Sequence, residues 1–283
     1  MEIHEPIDQK KKLNVIAIAD DSEFGISALC HGGMMAAVFH ASLTVITRFG
    51  FTFEEGKRGA NADKVMQNIQ QLLAHDIETL LLTDYFFPET LYRYAEETNT
   101  MMFVIGVDNA KSNGLFNQRK AINFIKPSRV PVLTVGRKLP DKEVFQHVLL
   151  PVDIERQAKE KALWASYFSR FYGATIHVLH PQYKDAGLKK QVSDNITFVE
   201  RLYHNLEVEY CIEEVETHGK DMDIFALEYA PTVNASISVM MMTQFFSPAV
   251  LFTGRKEKKI IGNALDFPVL CINPRDDLYV LCT

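Results

Sequence analysis

The chain has 283 residues, 47% hydrophobic and 23% charged, with a formal net charge of −6, a composition expected of a soluble globular protein with room for two domains and two cores. Neither half is basic, so a nucleic-acid partner lacks electrostatic support. No stretch reaches the roughly 18 apolar residues of a membrane helix, and the N-terminal MEIHEPIDQKKK leads into no signal-peptide core; the expected location is cytoplasmic.

In chain order, Leu13 to Ala19 is a continuous apolar run ending at Asp20-Asp21-Ser22, the pattern of a parallel strand buried on both faces and followed by a helix start. Gly25 to His40 carries apolar residues at helical spacing, and Ser42 to Thr47 reads as a second strand. A glycine-containing loop, an amphipathic helix over Ala62 to His75 and a strand over Ile77 to Thr83 follow. Pro88 stands near the start of the next helix, where a missing N–H costs nothing. Strand Met101 to Ile105, a polar turn, helix Leu115 to Lys126 and strand Val132 to Val135 complete five strands alternating with four helices. Such alternation predicts an α/β layered structure with a parallel sheet and right-handed crossovers.

Residues 137 to 145, RKLPDKEVF, read as a short linker, after which the pattern restarts. Strand His147 to Val152 ends at Asp153, then come helix Glu155 to Tyr172, strand Ala174 to Leu179, helix Lys184 to Asn205 and strand Glu207 to Val215. The stretch Ile224 to Ile272 is a worn copy of Leu91 to Val135: a short helix with a Tyr-Ala pair, an apolar strand, an irregular turn, a helix, and Pro-Val-Leu opening a last strand. Asp20 and Asp153, Tyr94 and Tyr229, and Pro131 and Pro268 lie 133, 135 and 137 residues apart, the near-constant offset of an internal duplication. Domains of 1–140 and 141–283 are therefore expected, and the tail LYVLCT is a candidate edge strand or edge cover.

In order and spacing these features resemble the universal stress protein family in its tandem form. The carrying residues are the first strands ending in Asp (IAIADDS and LLPVDIE), the Tyr-Ala helix before each fourth strand, and the Pro-Val-Leu fifth strands. The resemblance implies two doubly wound five-stranded domains, Rossmann-like and of the adenine nucleotide alpha hydrolase type, associating through their fifth strands as an intramolecular pseudo-dimer or as a homo-oligomer. It implies a role in stress adaptation through protein or small-ligand binding rather than a defined reaction, with no catalytic residues and no metal.

Many members of that family bind ATP through the Asp after strand one and a glycine pattern after strand four. Glycines there let backbone N–H groups reach phosphate oxygens beside a helix N-terminus. Asp20 and Asp153 match the aspartate, but the glycine pattern is degenerate in both halves. The first keeps Gly106 and Gly114 around Asn109 and Ser112, with Gln118-Arg119 where Gly-Ser is expected; Asp108 would bring negative charge towards a phosphate. The second has Met241 to Phe246 in the loop and keeps at most Gly254, followed by Arg255. Tight ATP binding is expected in neither half. The rival reading is an ATP-sensing protein, or weak ATPase, with a modified site of Asp20, Gly106, Asn109, Ser112 and Gly114.

Each candidate has a plainer reading. Asp after a strand is an ordinary helix N-cap, Asn113-Gly114 is a turn signal, and Met240 to Met242 with Phe245 and Phe246 suit core or interface packing. The four cysteines, Cys30, Cys211, Cys271 and Cys282, read as buried small hydrophobes. His177 and His180, three apart on a strand, point to opposite faces and cannot share one ion without a bend. His31 lies in a helix beside Gly32-Gly33 and reads as structural, and the run Arg255 to Lys259 as a solvated helix face.

Overall fold

The computed structural model describes residues 12–47, 69–71, 73, 77–82, 88–108, 115–141, 145–155, 158–242, 250–263 and 267–274. The first half contributes strands β1 (Asn14–Ala19), β2 (Ser42–Thr47), β3 (Thr79–Leu82), β4 (Thr100–Asp108), the two-residue β5 (Phe116–Asn117) and β6 (Val132–Val135). Its helices are α1 (Glu23–Val38), α2 (Pro88–Glu97) and α3 (Gln118–Ile125). The second half contributes β7 (His147–Pro151), β8 (Thr175–Pro181), β9 (Tyr210–Val215), β10 (Ile237–Met241) and β11 (Val269–Ile272), with helices α4 (Ala158–Tyr172), α5 (Ala186–Leu206), α6 (Met222–Tyr229) and α7 (Val250–Asn263). The expected helix over 62–75 and the tail 278–283 fall largely or wholly outside the described residues.

All strands but β5 join one sheet in the order β3-β2-β1-β4-β6-β11-β10-β7-β8-β9. Every pairing is parallel except that of the two fifth strands, β6 and β11, which run antiparallel with Leu133 opposite Leu270 and Val132 opposite Cys271. The α/β class expected from the sequence is thus the observed one. Strand residues are apolar on both sides because both sides are covered. Val15, Ala17, Val104, Leu133, Leu150, Val178 and Leu270 face one layer, which contains α1, α4 and α5. Ile16, Phe103, Val132, Leu149, Leu179 and Val269 face the other, which contains α2, α3, α6 and α7.

The halves meet in all three layers. In the first, Phe39, just past α1, packs edge-on to Phe171 of α4 at 4.9 Å between ring centroids. In the sheet, Thr134 Oγ1 donates to the Val269 carbonyl at 3.0 Å. In the second, Lys126, just past α3, pairs with Glu257 of α7 at 3.0 Å, the two side chains being 10% and 1% exposed.

Several boundaries differ from expectation for local reasons. Ser22 caps α1 by accepting from the Gly25 N–H, and Asn117 caps α3, which begins at Gln118 because Phe116 and Asn117 extend alongside Val107 and Asp108. The fourth strand accordingly runs on to Asp108 and takes Gly106 into the sheet. Asp185 caps α5, and Glu207 ends it in the left-handed conformation, so β9 starts at Tyr210.

Candidate functional site

In an open doubly wound sheet, ligands bind beyond the carboxyl ends of the strands where the strand order reverses. Here those points lie between β1 and β4 and between β7 and β10. Asp20 and Gly106 stand at the first, Asp153 at the second.

At the first point the candidates serve the chain itself. Asp20 accepts from the Ser22 hydroxyl and, at 3.1 Å, from the Ser22 N–H. Its other carboxylate oxygen accepts from the Leu115 N–H at 3.0 Å, tying the end of β1 to the segment after β4. The cap is therefore Ser22, with Asp20 as its support. Gly106 is a close-approach position: a Cβ there would lie 2.1 Å from the Phe24 carbonyl oxygen. Asn109, Ser112 and Gly114 lie outside the described residues.

At the second point Asp153 accepts from the Tyr183 hydroxyl at 2.8 Å and from the Ile154 N–H at 2.8 Å. Burial first, and then this bond to a carboxylate, push the Tyr183 hydroxyl up to about 12. Asn195 of α5 donates to the carbonyls of Asp153 and Glu155 at 2.7 and 3.1 Å, fixing the turn. Gly254 falls within α7, beyond the first four residues whose N–H groups a helix leaves unbonded. Met240 and Met242 are buried core residues, while Phe245 and Phe246 lie outside the described residues.

Sequence reasoning missed the charged network beside Asp153. Lys161 of α4 reaches Asp223 of α6 at 3.6 Å, and Lys256 of α7 pairs with Asp223 at 2.7 Å and with Asp221 at 2.9 Å. Helices α4 and α6 cover opposite faces of the sheet, so the Lys161 to Asp223 contact passes over the strand ends. Asp223 and Lys161 are buried. Burial alone would raise the Asp223 carboxyl, but Lys161 and Lys256 hold it below the usual carboxylate range. Lys256 is correspondingly raised: burial opposes the shift, and Asp223 and Asp221 outweigh it. The sequence signal lay within reach. Asp221 and Asp223 begin a helix after a third strand, Lys161 lies early in the helix that follows strand one, and Lys256 lies midway along the helix that follows strand four.

The charged run at 255–259 also departs from a solvated face. Lys258 and Lys259 are exposed, whereas Glu257 is buried against Lys126 and Lys256 serves the network. His31 fits the structural reading, 2% exposed and bonded through Nδ1 to the Ser27 carbonyl at 2.8 Å. Gly32 explains the close helix–sheet packing, since a Cβ would lie 3.0 Å from the Ala17 Cβ. Among the cysteines, Cys271 is buried as expected, whereas Cys30 and Cys211 are only half-buried. No helix among the described residues is long and apolar enough to cross a membrane.

No family model matches the chain, and no curated protein matches it in sequence. Solved structures do. A universal stress protein from Archaeoglobus fulgidus DSM 4304 superposes with a TM-score of 0.67 at 15% identity, over 92% of this chain and 98% of that one. A putative universal stress protein from Pseudomonas aeruginosa UCBPP-PA14 gives 0.63 at 13%, over 95% of both chains. A functionally unknown protein from Pseudomonas aeruginosa PAO1 gives 0.61 at 13%, again over 95% of both. The chain thus has the fold of universal stress proteins over nearly its whole length, in agreement with the resemblance drawn from its sequence.

Proposed function

We propose that this chain is a tandem universal stress protein of two repeats, 1–140 and 141–283, acting in stress adaptation by binding a protein or small ligand. In this reading it is cytoplasmic, works as an intramolecular pseudo-dimer and catalyses no defined reaction. Neither repeat holds ATP tightly, because the glycine motif is degenerate in both. The fold likeness supports the family. The observation that carries the ligand reading is the buried Lys161–Asp223–Lys256 network at the second switch point, with Tyr183 on the Asp153 carboxylate. Protein side chains there already neutralise the cations that a triphosphate would need.

The test is calorimetric titration of the full chain with ATP, together with assay of the supernatant for nucleotide after denaturation. No micromolar binding and no released nucleotide are expected. Asp20→Ala removes the acceptor of three hydrogen bonds; it should cost at least about 1.5–3 kcal/mol, the size of a hydrogen bond to a charged group, and leave ATP behaviour unchanged. Micromolar binding that disappears in Asp20→Ala would install the ATP-sensing reading in its place.

A further inference from the structure

On the face of the sheet covered by α6, opposite the layer of α4 and α5, three neighbouring strands of the second half bring together four side chains, His147, His177, Cys211 and Glu213. His177 on β8 is the register partner of Cys211 on β9, and Cys211 Sγ lies 3.1 Å from His177 Nδ1. Glu213, two residues along β9, projects to the same face as Cys211. One ligand atom from each of His177, Cys211 and Glu213 falls within 4.8 Å of the other two, and all three residues are half-buried, open to an entering ion. We propose that His177, Cys211 and Glu213 form a binding site for a divalent cation of the zinc type.

The donor set, one imidazole nitrogen, one thiolate and one carboxylate, is that of borderline-soft metals. Tetrahedral zinc with bonds of about 2.0–2.3 Å holds its ligand atoms roughly 3.3–3.6 Å apart; here Cys211 Sγ and His177 Nδ1 are 3.1 Å apart and all three ligand atoms lie within 4.8 Å of one another. The outer partners are also in place. His147 on β7 meets the far nitrogen of the His177 ring, Nδ1 to Nε2, at 3.1 Å. When His177 donates through Nε2, its Nδ1 lone pair faces Cys211, the orienting role that second partners of metal-bound histidines play. The Tyr229 hydroxyl donates to Glu213 Oε2 at 2.7 Å, orienting the carboxylate and leaving Oε1 available. Three protein ligands leave the fourth position to water or another donor.

The fold does not require these residues. In the first half Asn14 pairs with Ser42, as His147 does with Thr175, and Thr44 pairs with Leu80, as His177 does with Cys211. The places equivalent to His147, His177, Cys211 and Glu213 are thus Asn14, Thr44, Leu80 and Leu82. There Thr44 simply donates to Asn14 at 3.1 Å, and Leu80 is 49% exposed. One copy of the architecture carries a hydroxyl, an amide and two leucines on this face. The other has placed a histidine pair, a thiol and a carboxylate at the same four positions.

The test titrates the full reduced chain with Co²⁺ as a spectroscopic probe and then displaces it with Zn²⁺. One equivalent should bind with a thiolate-to-cobalt charge-transfer band. Cys211→Ser should abolish the band, while Cys30→Ser, Cys271→Ser and Cys282→Ser keep it. His147→Ala should weaken Zn²⁺ binding by about 10- to 100-fold, as loss of an outer partner does. Glu213→Gln, which keeps an acceptor for Tyr229, should weaken it at least about tenfold with the thiol intact. Far-UV circular dichroism of each variant establishes that it is folded. Absence of a stoichiometric band, a band that survives Cys211→Ser, or unchanged affinity in folded Glu213→Gln would each overturn the site.

Discussion

His31 shows how burial alone sets a side chain's chemistry. Its ring is enclosed by α1 and Phe145. Burial, only partly opposed by the bond to the Ser27 carbonyl, lowers its pKa from 6.5 to about 4. Because the folded value lies below the unfolded one, the unfolded chain binds more protons between them. The contribution to stability is therefore complete above pH 6.5 and is lost as the pH falls towards 4, by on the order of 3 kcal/mol. His31→Gln should flatten the pH dependence of Tm across this window, measured by thermal unfolding at closely spaced pH values. Gly106 is a second single-residue constraint. Gly106→Ala would force its Cβ against the Phe24 carbonyl oxygen, and such overpacking costs about 1–3 kcal/mol. Urea unfolding should show a lower midpoint at an unchanged m-value; an unchanged midpoint would mean that α1 shifts freely on β4.

At the scale of elements, the legible features were those set by local pattern. The buried runs at 14–19 and 147–151 read as parallel strands because both faces are apolar, and the two Pro-Val-Leu endings marked the strands that pair as β6 and β11. Less legible was whatever depends on neighbours brought together by the sheet. His177 was correctly separated from His180 by strand alternation, but its actual partners, His147 and Cys211, come from strands about 30 residues away on either side. The charged run in α7 misled for a related reason. A helix face is solvated only if nothing packs on it, and α3 does pack there, through Lys126. Asp20 was legible as an end-of-strand aspartate, but its bond to the Leu115 N–H requires the end of β1 and the segment after β4 to be adjacent in space. A period or a cap can be read along one segment; a register partner two elements away cannot.

At the scale of the molecule, the β6–β11 pairing removes two apolar edges that each half would otherwise expose. The aromatic contacts between α1 and α4 and the Lys126–Glu257 pair tie the outer layers as well. Coupling in all three layers should make the chain unfold as one unit. Trp164, the single tryptophan, reports on the second half, whereas far-UV circular dichroism reports on both, so coincident transitions are the expected result. Lys126→Met leaves the Glu257 carboxylate buried without its partner, at a cost of about 3–5 kcal/mol. Although the substitution lies in the first half, it should move the Trp164 transition and the dichroism transition together. Adding Glu257→Met should recover most of the loss, because removing both charges also removes the uncompensated one. If the Trp164 transition stayed in place while the dichroism signal split into two steps, the halves would be independent units that share a sheet without sharing stability.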